Sequence, residues 1–265
     1  MSLLEIEGLS VSFRRYRSPV RQVGVKCVSD ISLDVYPGEV LALFGASGAG
    51  KSLLAHAVMG LLPQNAIVGG VMRFEGRLLD RKEQARMAGS RIALIPQSVS
   101  HLDPLATVGQ QLRWAARRAR RPMASAGDMQ RTLARFDLEP GVSRAFPHML
   151  SGGMARRIML AMTTVCQADL IIADEPSNGL DAENTAIVFR WLKSFAEAGK
   201  SVIVISHDLA ATLQIADRVI ILRDGYVAAH EHADVFSGDG TRLLAPYARS
   251  VWKALPQNGF AEVEA

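Results

Sequence analysis

The chain has 265 residues, of which 49% are apolar and 21% are charged. These fractions are typical of a globular protein and exclude a disordered, collagen-like or coiled-coil chain. The formal net charge of +4 suits phosphate ligands or a membrane surface but is too weak to argue for nucleic acid. Only two cysteines occur, Cys27 and Cys166, so a disulfide framework is excluded and a reducing compartment fits best.

The sequence contains no segment that predicts a membrane crossing, because no apolar run reaches roughly 18 residues. Near the N-terminus Glu5 and Glu7 interrupt the basic-then-apolar layout that a signal peptide requires. We therefore expect a protein that stays inside the cell and takes part in membrane processes only through its partners.

Short apolar runs rich in β-branched residues alternate with helical patterns, which predicts an α/β fold. The first elements are two or three strands in 3–35 with a polar loop at 14–22, a strand at 40–44, a helix at 51–62, an edge hairpin at 70–79 and a strand at 91–96. Strand signals then vanish until residue 150, while arginine and alanine rise and prolines punctuate helical pieces. This middle stretch predicts an inserted helical subdomain.

The alternation of helix and strand returns after residue 150. The expected elements are helices at 152–166, 182–198 and 208–216, strands at 169–173, 201–206 and 218–222, and a hairpin turn at 224–225. The last 30 residues contain three glycines and two prolines, and we expect them to form a loosely attached tail.

A glycine-rich segment joins the strand at 40–44 to the next helix. It consists of Gly45, Ala46, Ser47, Gly48, Ala49, Gly50, Lys51 and Ser52, with Leu53 following in the helix. This is the phosphate-loop pattern in its required strand–loop–helix context. Backbone N–H groups and the helix N-terminus attract phosphates, Lys51 reaches the β and γ oxygens, and Ser52 can ligate Mg²⁺. The segment predicts binding of a nucleoside triphosphate with Mg²⁺.

Two adjacent carboxylates, Asp174 and Glu175, follow the continuous apolar run at 170–173. Such a run predicts a central parallel strand, and ligands bind beyond the carboxyl ends of strands in open α/β sheets. Alone, an acidic pair after a strand is more often a solvated turn. With a phosphate loop on the same sheet, we expect Asp174 to hold Mg²⁺ and Glu175 to polarise the attacking water.

Four further segments carry a resemblance to a known family. They are Leu150-Ser151-Gly152-Gly153-Met154, Gln97, the stretch from Ser177 to Asp181, and His207. In this order they resemble the signature motif, Q-loop, D-loop and H-switch of ABC-transporter ATPases. With the phosphate loop and the acid pair, the resemblance spans roughly residues 3–230.

The resemblance implies a role for each of these residues. Ser151, Gly152 and Gly153 would contact the nucleotide held by a partner subunit, with Asp181 near that interface, so two ATPs would lie between two subunits. His207 would contact the γ-phosphate and position Glu175, and Gln97 would approach Mg²⁺. From the residues alone, Ser151 is a good helix N-cap whose glycines allow close approach of an anion.

The fold class expected from this resemblance is an α/β P-loop NTPase core of the RecA type, with an N-terminal antiparallel β subdomain and an inserted helical subdomain. We divide the chain into the first part of the ATP-binding core at 1–97, the helical subdomain at 98–150, the second part of the core at 151–235 and a tail at 236–265. The adenine should stack on Phe13, with Tyr16 as the alternative; Phe13 could instead be a core residue.

Details of the motifs are similar to the peptide/nickel importer branch of the family. They include Met154, where glutamine is commoner, and the stretches at 50–53 and 60–63. The oligopeptide subunits of that branch usually carry a longer, cysteine-containing C-terminal extension. The short tail here contains no cysteine, which favours the nickel, cobalt or metal–opine members.

The expected function is therefore the ATP-hydrolysing subunit of a bacterial importer, bound peripherally at the cytoplasmic face of the inner membrane. Its partners would be two transmembrane permease subunits, a second ATPase that is identical or, more in keeping with the branch, a paralogue, and indirectly an extracytoplasmic solute-binding protein. Nucleic acid is not expected. The alternative is a soluble accessory ATPase of a non-transport complex, as in phosphonate degradation. An inactive regulator is opposed by Glu175 and His207.

Two other sequence patterns could indicate a binding site but are also explained by ordinary surface structure. His230, Glu231 and His232 could suggest a metal site, but no third ligand stands at metal spacing, so a solvated turn is expected. A helical pattern with Trp114 carries the basic cluster Arg113, Arg117, Arg118, Arg120 and Arg121. A solvated face is its first interpretation; contact with a membrane partner or anionic lipid headgroups is the second.

Overall fold

The computed structural model describes residues 1–18, 21–123, 125–255 and 258, and of residues 15–18 and 21–23 it describes the backbone only. The strands are β1 (Leu4–Ser18), β2 (Arg21–Val35), β3 (Val40–Gly45), β4 (Ala66–Phe74), β5 (Arg77–Leu78), β6 (Ile92–Ile95), β7 (Leu170–Asp174), β8 (Ser201–Ser206), β9 (Arg218–Arg223) and β10 (Tyr226–His232). The α-helices are α1 (Lys51–Met59), α2 (Arg81–Met87), α3 (Val108–Arg118), α4 (Ala126–Ala134), α5 (Gly152–Cys166), α6 (Ala182–Glu197), α7 (Leu209–Leu213) and α8 (Pro246–Lys253).

The strands form two sheets. The first is antiparallel with the order β2-β1-β4-β5, and the second has the order β10-β9-β3-β8-β7-β6. In the second sheet the pairs from β9 to β6 are parallel, and only β10 runs antiparallel beside β9. This is the α/β architecture expected from the sequence. The expected polar loop at 14–22 is shorter in the structure, since β1 and β2 extend to residues 18 and 21 as one long hairpin.

Alternate residues of the parallel strands face opposite layers. Leu41 and Leu43 of β3 belong to the core beneath the antiparallel sheet, whereas Val202 and Val204 of β8 pack with α5 and α6 on the other face. Because the strands are covered on both sides, their sequences are continuously apolar. The register places Phe44 of β3 beside Ser206 of β8, so the parallel strands end at one common edge.

Helices α3 and α4 begin with capping boxes built by Thr107 with Gln110 and by Ser125 with Asp128, which satisfy the free N–H groups of the first turn. Their apolar faces join the core that contains α5. Among the helices of the described residues, none has both the length and the apolar run that a bilayer crossing requires.

Residues 236–255 are packed against the sheet, contrary to the expectation of a loosely attached tail. Phe236, Leu243, Ala248 and Trp252 are buried together with residues of β9 and α7. The indole N–H of Trp252 donates to the carbonyl of Gly238 at 3.0 Å. The cause is tertiary, because apolar residues spread over 17 positions find a common apolar surface only after β9 and β10 have formed.

His230 and its neighbours lie on strand β10 rather than in the expected solvated turn. The Nε2 atom of His230 contacts the guanidinium of Arg218 at 2.7 Å, and the same guanidinium forms an ion pair with buried Glu39 at 2.8 Å. Glu231 is buried and accepts the backbone N–H groups of residues 244 and 245. Within the described residues, no group of three His, Cys, Asp or Glu side chains could hold a metal ion.

Candidate functional site

A cleft of about 380 Å³ lies at the common edge where the parallel strands end. Strand β3 is followed by the glycine-rich loop, β7 by Glu175, β8 by His207 and β6 by Pro96 and Gln97. The cleft is lined by Ser47, Gly48, Gly50, Lys51, Ser52, Leu53, Gln97, Glu175 and His207. Residues separated by more than 150 positions therefore meet because their strands are parallel neighbours.

The loop needs glycine at two positions where the backbone passes close to other groups. At Gly45 a Cβ atom would lie 2.5 Å from the carbonyl oxygen of Leu222 on the neighbouring strand. Gly50 has a φ of 98°, and its Cβ would lie 2.8 Å from a methyl group of Val28. Gly50 is also the N-cap of α1 and offers no side-chain hydrogen bond to the first turn. The N–H groups of that turn are left available to an anion.

Lys51 is the buried cation of the cleft. Its Nζ donates to the carbonyls of Gly45 at 2.6 Å and Ala46 at 3.1 Å. Burial lowers the pKa of Lys51, while the charges of Glu175 and Asp174 oppose that shift. A desolvated ammonium gains more from an opposite charge than an exposed one does, so this site favours phosphate oxygens.

Asp174 is buried at the end of β7, and one of its carboxylate oxygens, Oδ1, has no hydrogen-bond partner among the described residues. Such an atom is costly unless a ligand completes it. Ser52 and Gln97 supply a hydroxyl and an amide oxygen in the adjacent cleft. Oxygen donors of these kinds are the ones that Mg²⁺ prefers, so the residues present fit that ion.

Glu175 and His207 form the polar pair opposite the loop. Oε2 of Glu175 lies 2.7 Å from Nδ1 of His207, and the histidine side chain is 68% exposed whereas that of Glu175 is 10% exposed. Glu175 has a φ of 46°, a left-handed conformation that non-glycine residues rarely adopt. Its N–H donates to the carbonyl of Ile205 on β8. The turn therefore places Glu175 at the cleft, where its carboxylate contacts His207.

Sequence reasoning missed Arg156, which connects α5 to the end of β6. Its guanidinium is buried and donates to the carbonyl of Pro96 at 2.7 Å and to that of Gln97 at 2.8 Å. The sequence did indicate that Arg156 is buried. Spacings of four and three residues place it on the same helical face as buried Leu160 and Thr163. A charged residue on an apolar face predicts a specific partner.

The signature segment lies outside the cleft lining of its own chain. Ser151 is the N-cap of α5, its Oγ accepts the N–H of Met154 at 3.2 Å, and both Ser151 and Gly152 are exposed. Gly153 packs near Asn184. Asp181 likewise lies outside the cleft, as the N-cap of α6. Hydrogen bonds from the backbone and then the side chain of Asn184 lower the pKa of Asp181.

Phe13 and Tyr16 are the two aromatic residues predicted to stack on adenine. Phe13 is half-buried, pairs with Val25 and Ala66 in the antiparallel sheet, and packs against the core beneath that sheet. It does not line the cleft. The side chain of Tyr16 lies outside the part of the chain that the structure describes. Adenine stacking stays a prediction.

Residues 28–178 match the family model described as ABC transporter. The chain belongs to the ABC transporter family. It is 35% identical over 85% of its length to the dipeptide transport ATP-binding protein DppD of Bacillus subtilis, of which it covers 69%. It is 38% identical over 85% of its length to the oligopeptide transport ATP-binding protein OppD of Mycobacterium bovis, of which it covers 38%.

A solved ABC cassette shows the same fold. The dimeric post-hydrolysis structure of the ATP-binding cassette MJ0796, bound to ADP and Pi, superposes with a TM-score of 0.76 at 22% identity, covering 87% of this chain and 98% of that one. The predicted family, α/β P-loop fold and ABC-type ATPase class are thereby confirmed. The relatives are transport ATP-binding proteins, so the alternative of a non-transport accessory ATPase is not favoured.

Proposed function

We propose that the chain is the ATP-hydrolysing subunit of an ABC importer at the cytoplasmic face of the inner membrane. The observation that carries this proposal is the convergence of Lys51, Glu175 and His207 on one cleft beside a phosphate loop. Family membership supports it, since the relatives named above are ATP-binding proteins of transport systems. ATP is the substrate.

The loop and Lys51 bind and orient the triphosphate. Uncapped N–H groups at the start of α1 donate hydrogen bonds to phosphate oxygens. The Lys51 ammonium exchanges its present acceptors, the carbonyls of Gly45 and Ala46, for β and γ oxygens. Because these groups are held by a strand, a loop and a helix, little reorganisation accompanies the reaction, and most of the catalysis is positioning and charge stabilisation.

Glu175 acts as the general base, and His207 holds it in place. A water molecule attacks the γ-phosphorus in line, the bond from that phosphorus to the β–γ bridging oxygen breaks, and the electron pair stays on ADP. The proton of the water goes to the Glu175 carboxylate. The contact between His207 and Glu175 keeps the carboxylate aimed at the water and leaves the exposed imidazole edge free to contact the γ-phosphate.

Asp174, Ser52 and Gln97 would hold Mg²⁺ with the phosphates. When bound, this ion neutralises charge that develops on the β and γ oxygens. The unpartnered Oδ1 of Asp174 supports the assignment, because the carboxylate otherwise lacks a ligand in a buried place. On this basis we assign Mg²⁺ as the cofactor that binds together with the substrate ATP.

A second ATPase subunit completes the site. The exposed N-terminal turn of α5, with Ser151, Gly152 and Gly153, lies outside the cleft of its own chain, and we assign it to the nucleotide of the partner. Asp181 is assigned to the same interface. The partner is a paralogue or a second copy, two permease subunits carry the solute, and a solute-binding protein acts outside the membrane. ATP closes the pair, and hydrolysis reopens it.

The proposed solute is a peptide, because the names of the relatives above specify dipeptide and oligopeptide transport. The preference for nickel, cobalt or metal–opine solutes rested on the short, cysteine-free tail. The test of the proposed solute is to grow a deletion strain on a dipeptide as the only source of a required amino acid, and we expect the strain not to grow. Restored nickel uptake with unchanged peptide uptake on complementation would favour the metal instead.

The catalytic assignment is tested by Glu175→Gln, which keeps the size and an acceptor oxygen but removes the charge. We expect ATP hydrolysis by the assembled transporter to fall by about 10²–10⁴-fold, with the affinity for ATP retained. Glu183→Gln is the matched control, since Glu183 is exposed on the first turn of α6 and outside the cleft. A hydrolysis rate that Glu175→Gln leaves unchanged would exclude Glu175 as the base.

The two-subunit assignment is tested by Ser151→Arg, which places a bulky cation at the exposed cap of α5. We expect the ATP-driven association of ATPase subunits to be lost in gel filtration, while each chain still binds ATP at its own loop. Association that survives the substitution would contradict the sandwich. Affinity purification from detergent-solubilised membranes identifies the partners: two polytopic proteins support an importer, and soluble enzymes alone would support an accessory ATPase.

A further inference from the structure

A pocket of about 420 Å³ lined mainly by arginine lies apart from the nucleotide cleft, and no residue lines both. We call it the arginine pocket. Its cationic walls are Arg77 on β5, Arg86 on α2, Arg91 before β6, Arg118 at the end of α3, and Arg120. The chain segments that supply them are up to 43 positions apart in sequence, so the cluster is a product of the fold.

Two of the five arginines are already paired with carboxylates. Arg91 forms ion pairs with Glu75 and Asp169, both at 2.7 Å, and Arg86 forms one with Glu83 on its own helix. These acidic groups do not line the pocket. The paired arginines therefore shape the walls and contribute little net charge.

The other three arginines carry uncompensated charge. Among the described residues, no carboxylate forms an ion pair with Arg77, Arg118 or Arg120. Arg118 donates to a neutral acceptor, the carbonyl of Ala85. The pKa of Glu75 is lowered chiefly by its hydrogen bond to Arg91, and the charge of Arg77 contributes only at longer range. All three side chains are exposed and solvated, and together they create a positive potential in one concavity that attracts an anion.

The dipole of α3 explains only part of this arrangement. Basic residues at a helix C-terminus are favourable, which accounts for Arg118, but Arg77 lies on a strand edge of the other sheet. Arg120 has a φ of 58°, at a position after the helix where glycine is usual. The helix-ending turn, in which the N–H of Arg121 donates to the carbonyl of Ala116, accounts for that backbone, and the dipole favours a cation there too, so helix stability leaves Arg77 unexplained.

We propose that the arginine pocket binds a phosphate-bearing anion. Guanidinium groups present planar pairs of N–H donors that match phosphate oxygens, and their weak hydration lowers the cost of closing on them. A phosphate group presents two or three charged oxygens in a tetrahedral arrangement, so cations from different walls can bind it together, whereas the two oxygens of a carboxylate lie in one plane. The two sources with this chemistry are an anionic phospholipid headgroup and a soluble phosphate ester or inorganic phosphate.

The test compares two double variants of the full chain. Arg77→Gln with Arg120→Gln removes two unpaired cations from the pocket. Arg113→Gln with Arg117→Gln removes the same net charge from exposed positions of α3 that do not line the pocket. A saturating non-hydrolysable ATP analogue with Mg²⁺ fills the α, β and γ positions of the nucleotide cleft in every sample, so that phosphate cannot be scored at the phosphate loop. Far-UV circular dichroism and ADP affinity show that both variants fold.

Binding is measured by flotation with phosphatidylcholine vesicles, with and without phosphatidylglycerol, and by calorimetric titration with inorganic phosphate. We expect the pocket variant to bind at least tenfold more weakly than the control variant in one arm. Selective loss of vesicle binding assigns a lipid headgroup, and selective loss of phosphate binding assigns a soluble ligand. Equal loss in both variants, or no binding by the wild-type chain in either arm, overturns the proposal. So does a defect confined to assembly with a partner protein, which would assign an acidic protein surface.

A second inference concerns Arg156 and rests on the proposed function of Gln97. Arg156 is 2% exposed, and within the described residues its Nε has no partner and its two terminal nitrogens bond only the carbonyls of Pro96 and Gln97. Burial lowers its pKa. A buried cation with only neutral partners is costly, and this one fastens the signature helix α5 to the segment that carries Gln97.

We infer that Arg156 is a positioning residue that sets where Gln97 meets the phosphates and the metal ion. Movement of the signature helix is transmitted through the two hydrogen bonds to the backbone of Pro96 and Gln97. The neighbouring Arg157 provides a matched control, since it bonds the carbonyls of Phe136 and Asp137 instead.

The readout is the gain in affinity for a fluorescent ATP analogue on addition of Mg²⁺, measured without turnover. We expect Gln97→Ala and Arg156→Met each to reduce this gain at least threefold, the double variant to add nothing further, and Arg157→Met to retain it. Additive effects, or an intact gain in Arg156→Met beside a reduced gain in Gln97→Ala, would overturn the inference about Arg156. An intact gain in Gln97→Ala would instead remove the proposed role of Gln97. Unchanged affinity without Mg²⁺ shows that the variants fold.

Discussion

Replacing Trp252 with alanine measures how firmly the C-terminal segment is attached. The indole is 9% exposed, meets the ring of Phe236 edge-on at 5.9 Å, and donates a hydrogen bond to Gly238. It packs in the cluster that also contains Leu243 and Val219 of the parallel sheet. The substitution removes the larger of the two α8 side chains that are buried in this cluster.

The expected cost follows from the buried area. An aromatic side chain buries about 150–250 Å², and at about 25 cal/mol per Å² this is about 4–6 kcal/mol. That figure is an upper bound, because the unfolded chain already hides part of the surface. Large-to-small aromatic substitutions in cores cost about 3–5 kcal/mol. We expect Trp252→Ala to lower the free energy of unfolding by about 3–5 kcal/mol.

Urea unfolding of the full chain, followed by far-UV circular dichroism, measures this change. Trp114→Ala is the control, because it removes the same group from a side chain that is 48% exposed, and we expect it to cost about 1 kcal/mol or less. Equal losses in the two variants would refute the packing argument and restore the loosely attached tail. Limited proteolysis after residue 236 gives an independent measure, since a loosened segment is cleaved at lower protease concentration.

Two further predictions concern ion pairs. Burial raises the pKa of Asp169, but hydrogen bonds and charge from Arg91 and Lys200 outweigh this and lower it. Arg91→Gln should therefore cost about 1 kcal/mol at pH 7. Urea titrations should show the cost vanishing as the pH falls through the lowered pKa of Asp169, because the protonated carboxyl no longer attracts the guanidinium. A cost independent of pH would contradict this. Arg218→Met leaves buried Glu39 without its cation and should lower the free energy of unfolding by about 3–5 kcal/mol. Adding Glu39→Gln should restore part of this loss, as measured by thermal unfolding.

Much of the fold could be predicted from local patterns. The apolar runs at 40–44, 170–173 and 201–206 form strands β3, β7 and β8 within one or two residues of their expected ends. Their continuous hydrophobicity has a single physical meaning, burial on both faces. The long N-terminal hairpin was harder, because an arginine-rich sequence at 14–22 has loop composition and extends only through pairing of β1 with β2.

The residues of the cleft were also readable in the sequence, since each stands directly after a strand. The glycine-rich loop, Glu175 and His207 follow β3, β7 and β8 in turn, and a strand end is visible as the end of an apolar run. What the sequence could not supply was the contact of 2.7 Å between Glu175 and His207. That contact depends on β7 and β8 being adjacent, and adjacency is set by sheet order.

The sequence by itself determined the chemistry of the nucleotide cleft, because the loop and the acid pair depend on short spacings that survive in any context. Only the tertiary structure decided which charges are compensated. It buried Arg156 against two carbonyls, paired Arg218 with Glu39 and His230, and left Arg77 and Arg120 facing one pocket. Whether a charge finds a partner depends on residues far apart in the chain, and their distances exist only once the sheets and helices have packed.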